Sequence, residues 1–231
     1  MKKNGKKLGV LGGMGSAASA EFLRILAAKA PAITDQEHPI VYMIADSEIP
    51  DRTEGILGLG PDPSERMQKD LNQLADMGAD ILAVPCNTAH YFIDRFNKPL
   101  PRPLIHIIDE TVKAAKKLNP RGVWMLSTLG TWQSGLYQTY AQKHELPLFF
   151  PNEEQRELIH RSIMEVKANR LAESGQLCGS IVQELWGTKD LPIMLACTEL
   201  PLAYKASGLP LAKAVSSLDA LAAACVRKLY E

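Results

Sequence analysis

The chain has 231 residues, 46% hydrophobic and 23% charged, with 26 basic residues balanced by 26 acidic ones. That is enough for one large or two small packed domains, and the zero net charge, with no basic run beyond the Lys-rich start, argues against nucleic acid as a partner. No apolar run approaches the roughly 18 residues of a membrane helix, residues 8–11 are too short for a signal peptide, and four scattered cysteines fit reduced thiols, so no membrane partner and a cytoplasmic location are expected.

Elements alternate along the chain. Residues 8–11 read as a strand, 16–30 as a helix stopped by Pro31, and 40–45 as a second strand. The stretch 46–63 carries Pro, Gly, Asp and Arg and reads as a long binding loop or lid. Ser64 opens a helix with Met67, Leu71 and Leu74 on one face, closed by Gly78. A strand over 81–84 follows, then Pro99, Pro101 and Pro103, a candidate hinge, then a strand over 104–108. The second half repeats the plan: a strand at 123–126, a helix after Thr131, and a strand at 148–150. Helices across 153–171 and 175–186, strands at 193–196 and 211–215, and an Ala-rich final helix complete it. Such alternation predicts an α/β fold of two similar Rossmann-like lobes with parallel sheets.

Two cysteines occupy matching points of the halves. Cys86 ends the run Ile81-Leu82-Ala83-Val84-Pro85-Cys86, and Cys197 ends Ile193-Met194-Leu195-Ala196-Cys197. They lie 111 residues apart, and Gly9-Val10-Leu11 and Leu104-Ile105 are echoed at Gly122-Val123-Trp124 and Leu211-Ala212. Ligands bind at the carboxyl ends of strands in parallel α/β sheets. A thiol just before a helix start there has its ionised form favoured. Cys178 and Cys225 lie within helical segments and read as core residues. Cys86 and His90 have the i,i+4 spacing of two zinc ligands, but no Cys/His cluster completes a set, so no metal is expected. Gly13-Met14-Gly15-Ser16-Ala17-Ala18 matches G-x-G-x-x-A, with Asp46 placed for a ribose; a dinucleotide would leave both thiols unused.

Gly12-Gly13-Met14-Gly15, Ile49-Pro50-Asp51-Arg52-Thr53, Pro85-Cys86-Asn87-Thr88-Ala89-His90, Thr128 with Gly130-Thr131, Ser134-Gly135-Leu136-Tyr137-Gln138 and Cys197-Thr198-Glu199-Leu200-Pro201-Leu202 resemble the aspartate/glutamate racemase family, its aspartate racemase branch most closely. The chain departs from the usual pattern at Ser16 and Ser19, at Ala196, and at Ser216-Ser217. The resemblance implies two lobes related by a pseudo-two-fold axis with the active site in the cleft between them, no cofactor, and a homodimer. It also implies a crossover in which the last strand and helix return to the first lobe. The expected lobes are 1–100 with 208–231, carrying Cys86, and 101–207, carrying Cys197.

The resemblance implies Cys86 and Cys197 as catalytic residues. One as thiolate would remove the α-proton of an acidic amino acid and the other as thiol would protonate the opposite face. It assigns substrate-carboxylate contacts to Asn87, Thr88, Thr128, Thr131 and Thr198, and side-chain carboxylate contacts to Arg52 and Lys167. Met14, Gly15, Asp46 and Glu199 complete the binding candidates. The implied activity is racemisation of aspartate, with glutamate second, without pyridoxal phosphate. Maleate isomerisation, hydantoin racemisation and noncatalytic binding of a small acid are the rivals.

Overall fold

The computed structural model describes residues 3–230. β1 (Leu8–Gly12) is buried along its whole length, as expected of a parallel strand covered on both faces. α1 (Ser16–Lys29) follows, and β2 (Val41–Ala45) pairs parallel with one side of β1. The long loop is not structureless. Asp51 caps a short helix, α2 (Arg52–Leu57), by accepting from the N–H groups of Thr53 and Glu54, and Gly58 ends it at φ 72°. α3 (Ser64–Asp76) sets Met67, Leu71 and Leu74 on one face, all with no exposed surface. Each such side chain contributes about 1.5–3 kcal/mol on burial. β3 (Ile81–Ala83) takes the other side of β1, α4 (Ala89–Ile93) follows, and β4 (Leu104–Ile105) pairs with β3.

The second half runs α5 (Ile107–Leu118), β5 (Val123–Leu126), α6 (Leu129–Gln133), α7 (Leu136–Lys143), β6 (Leu148–Phe149), α8 (Glu153–Lys167), α9 (Leu171–Thr188), β7 (Ile193–Leu195), α10 (Leu200–Ala206), β8 (Ala214–Ser216) and α11 (Ser217–Tyr230). Its sheet has the order β6-β5-β7-β8, the counterpart of β2-β1-β3-β4, and every pairing in both is parallel. The duplication is therefore one of topology. β1 and β5 are the inner first strands of their sheets, and β3 and β7 are the strands that lead to the two cysteines.

Four expectations are corrected. The strand foreseen over 104–108 stops at Ile105, because α5 already begins at Ile107. The echo at Leu211-Ala212 is a 3-10 turn, and β8 starts three residues later. The helical stretch 153–171 breaks after Lys167, where Asn169 adopts φ 61°, a conformation asparagine tolerates and helices end on. The last strand does not return to the first sheet: β8 is hydrogen-bonded to β7, and the final helix alone changes unit.

The chain forms two compact units, Met1–Ile107 with Leu218–Glu231, and Ile108–Ser217. The changes fall at residues 107/108 and 217/218, past the Pro-rich segment rather than at 100/101 and 207/208. Each follows a sheet's fourth strand. In the first unit Asn4 joins the C-terminal helix through its backbone N–H to the Leu229 carbonyl at 2.9 Å and its side-chain amide to the Lys228 carbonyl at 2.9 Å. Each unit has its own core, one centred on α3 and β3 and the other on α8, α9 and β7.

Candidate functional site

In the first unit the chain leaves β3 through Val84 and Pro85 and turns sharply, the Cys86 N–H donating to the Val84 carbonyl at 2.8 Å. Cys86, Asn87 and Thr88 are 5%, 2% and 6% exposed, on a nearly dry shelf at the strand's carboxyl end. The helix that follows has only five residues, so a helix dipole gives little help there. His90 is fully buried and sets its Nδ1 2.9 Å from the Cys86 carbonyl. A carbonyl only accepts, so Nδ1 carries the proton. Burial holds the ring's pKa down to about 3, with the His106 ring second, so the imidazole is neutral and Nε2 is a bare acceptor. That Nε2 is buried without a hydrogen-bond partner. His106 stands edge-on to His90 at 4.5 Å and meets Asp94 Oδ1 through Nε2 at 3.1 Å. Among the described residues no cluster of three or more His, Cys, Asp or Glu is arranged to hold a metal ion.

The glycine loop follows β1. Gly13 has φ 88°, and a Cβ there would lie 2.3 Å from the Asp46 backbone, so only glycine fits. The Ser19 hydroxyl accepts the Gly13 N–H at 3.0 Å and donates to the Gly15 carbonyl at 2.8 Å, which gives this departure from the family pattern a bracing role. Met14 is buried in the unit's core, and Gly15 caps α1. Asp46 is paired with Arg66, which also donates to Glu48 at 2.6 Å. The guanidinium holds the Asp46 carboxyl below its ordinary range. Burial, then Asp46 itself, pushes Asp70 up to about 6.

Arg52 is not an exposed loop cation. It is 8% exposed, opens α2, and donates from Nη1 to the carbonyls of Ile49 and Pro50 at 3.1 and 2.9 Å. Its Nε is buried with no partner.

In the second unit Thr128 caps α6, its Oγ1 accepting the Thr131 N–H at 3.0 Å and donating to Thr131 Oγ1 at 3.0 Å. Both threonines are buried. Cys197 and Thr198 follow β7 and converge on one carboxylate oxygen: Cys197 Sγ donates to Glu199 Oε2 at 3.0 Å and Thr198 Oγ1 to the same oxygen at 3.2 Å. Glu199 is 2% exposed, and its Oε1 is buried without a partner. Burial first, and the Glu199 charge second, push the Cys197 thiol well above its ordinary pKa, against a smaller pull from the Lys167 ammonium. The expectation that a helix start favours the thiolate therefore fails at Cys197. Lys167 sits exposed in the last turn of α8, near enough for its charge to be felt at the thiol.

This geometry carries a pH prediction. Glu199→Gln removes a charge that disfavours the thiolate while keeping an amide of the same shape, so the Cys197 titration moves down in pH. Alkylation of Cys197 by iodoacetamide, mapped across pH, is expected to set in at lower pH in the variant. An unmoved profile means that Glu199 does not govern the thiol.

Sequence reasoning missed Arg66, Asp70 and Tyr137. Asp70 was detectable: it lies three residues after Met67 and four before Leu74, on the apolar stripe of α3, where an acid needs a reason. Tyr137 is fully buried and hydrogen-bonded to Thr111, and burial, with Cys197 nearby, raises its pKa. It lies in the run Ser134-Gly135-Leu136-Tyr137-Gln138, whose sequence alone does not show that its ring is buried.

Residues 11–227 match the family described as Asp/Glu/Hydantoin racemase. The structure is similar to the Picrophilus torridus aspartate racemase at a TM-score of 0.87, with 28% identity over 97% of this chain and 94% of that one. In sequence the chain is 25% identical over 204 residues to the broad specificity amino-acid racemase RacX of Bacillus subtilis (strain 168), covering 84% of this chain and 85% of that protein. It is 31% identical over 149 residues to the glutamate racemase of Aquifex pyrophilus, covering 57% of this chain and 51% of that protein.

Proposed function

The chain belongs to the Asp/Glu/hydantoin racemase family and is an amino-acid racemase, and on that premise we propose that it interconverts L- and D-aspartate, with glutamate as second substrate, using Cys86 and Cys197 as its two acid–base groups. The α-proton of an amino acid is a very weak acid, and pyridoxal enzymes remove it by delocalising the carbanion into a ring. Two thiols offer a route without that ring: one takes the proton from one face and the other returns a proton to the opposite face. The observation that carries the reading is their equivalence. Each lies just beyond the third strand of an identically ordered sheet, each is 5% exposed, and each is followed by a buried threonine within two residues.

Burial and then the Glu199 charge raise the Cys197 pKa, and Glu199 holds that thiol's hydrogen, so on this reading Cys197 is the proton donor and Cys86 the base in one direction of the reaction. The reverse direction exchanges these roles. Charge gathering on the substrate's α-carboxylate as the proton leaves is met by hydroxyl and amide donors. Asn87, Thr88, Thr128, Thr131 and Thr198 supply them on this reading. The Thr128-to-Thr131 hydrogen bond polarises the second hydroxyl and strengthens it as a donor. Arg52 supports an acidic side chain: its guanidinium is buried, bonded on one side to carbonyls, and its Nε still lacks an acceptor. A planar fork of donors suits a second carboxylate, and Lys167 adds a point charge.

The test is incubation with single enantiomers of aspartate, glutamate and alanine in D2O without pyridoxal phosphate, followed by chiral chromatography and mass analysis. The expected result is loss of optical purity with one α-deuterium per turnover, aspartate fastest. Maleate isomerised in place of amino-acid racemisation, or alanine racemised as fast as aspartate, would count against the assignment.

A further inference from the structure

We propose that His90 is a positioning residue that fixes Cys86 for proton transfer through its hydrogen bond to the Cys86 carbonyl; this rests on the two-thiol reading above. In a regular α-helical turn the backbone N–H of residue 90 would close on the carbonyl of residue 86. Here it does not. The His90 N–H donates instead to the Asn87 carbonyl at 3.1 Å, and the Tyr91 N–H to Thr88 at 3.2 Å. The tighter turn leaves the Cys86 carbonyl to the imidazole, whose Nδ1 reaches it at 2.9 Å.

The second unit meets the same need differently. The Cys197 carbonyl accepts the Leu200 backbone N–H at 3.2 Å, and the residue four past Cys197 is Pro201, which has no N–H to give. The side-chain clamp thus belongs to Cys86, while Cys197 is held through its sulfur by Glu199.

Several features make His90 a clamp rather than filler. An apolar side chain would occupy a fully buried position without leaving Nε2 orphaned. The ring is braced from behind by His106, itself bonded to Asp94. Burial and the His106 ring keep it neutral, with Asp94 and the Cys86 carbonyl acting weakly the other way, so the tautomer that donates from Nδ1 persists through the working pH range. A misplacement of about 1 Å in a reacting group costs on the order of 100-fold in rate.

The test uses His90→Leu and His90→Asn in the full chain. Asparagine places an amide N–H where Nδ1 was, and leucine removes the donor. The expected result for leucine is a kcat on aspartate lower by roughly 10- to 100-fold with KM little changed, and a several-fold altered alkylation rate at Cys86. Cys197 should keep its rate, and the buried Cys225 of the same unit should stay unlabelled. Asparagine should restore most of both. Where leucine gives no folded protein, His90→Gln replaces it, because its amide matches Nε2 rather than Nδ1; the expectation is that glutamine fails where asparagine succeeds. A wild-type kcat and Cys86 rate in the leucine variant overturns the proposal. So does equal loss in every variant with Cys225 becoming labelled, which marks lost packing. Alkylation of Cys86 needs no substrate, so it decides the clamp even if aspartate is not turned over, whereas an active Cys86→Ala sinks the two-thiol reading itself.

Discussion

Cys86→Ser and Cys197→Ser are each expected to lower racemisation by about 10²- to 10⁴-fold, the usual worth of a positioned acid or base. A serine hydroxyl is close in size to a thiol but far less acidic, so it fills the space without supplying the base. Each cysteine belongs to the core of its own unit and is 5% exposed, and the change to serine is conservative in size, so the thermal midpoint should move by only a few degrees. Turnover by chiral chromatography, beside a melting curve by circular dichroism, separates the two effects. A serine variant with more than a tenth of wild-type kcat would show that its thiol is not one of the two proton carriers.

Arg52→Ala is the second large effect. On the acidic-substrate reading it removes the fork that meets the side-chain carboxylate, and kcat/KM for aspartate should fall about 100- to 1,000-fold, as for one or two charge-assisted hydrogen bonds lost in a dry site. Stability should fall too. The guanidinium is buried and bonded to the Ile49 and Pro50 carbonyls, and leaving those unmet costs about 1–3 kcal/mol. Arg52→Lys keeps a charge without the fork and should recover stability better than kcat/KM. Urea unfolding and steady-state kinetics on all three proteins give the comparison. Unchanged kinetics in the alanine variant would leave Arg52 as an internal brace for its loop.

The difference between a loop cation and a buried guanidinium marks where the sequence was legible. The run Leu8 to Leu11 has no polar side chain, as suits a parallel strand covered on both faces, and β1 is buried throughout. The same logic recovers β3, β5 and β7, and so places both cysteines at strand ends. The glycine motif at 13–18 was readable, but not that Gly13 is required by the Asp46 backbone packed against it. What escaped depends on contacts distant in sequence. Nothing local says that Arg66 takes Asp46, twenty residues earlier, or that packing from the rest of the unit buries Cys197 and raises its pKa against a helix start. Short elements escaped as well. α2 is specified by a single Asp51 cap inside a Pro- and Gly-rich stretch, and the end of β4 was misplaced because its two residues are too few to show a period.

The return of the C-terminal helix to the first unit has a consequence for synthesis. The second unit, Ile108 to Ser217, emerges as one continuous piece. The other unit, begun earlier, lacks α11 until residues 217–230 are made. At about 5–20 residues per second, the ribosome takes on the order of ten seconds over the roughly 110 residues between. During that interval the half bearing Cys86 waits without the buried Leu218, Leu221, Ala222, Cys225 and Leu229 of its closing helix. The half bearing Cys197, last to begin, is free to finish first. On the two-thiol reading each half bears one proton carrier, so a nascent chain stalled before Leu218 can hold a finished half bearing Cys197 without being an active racemase.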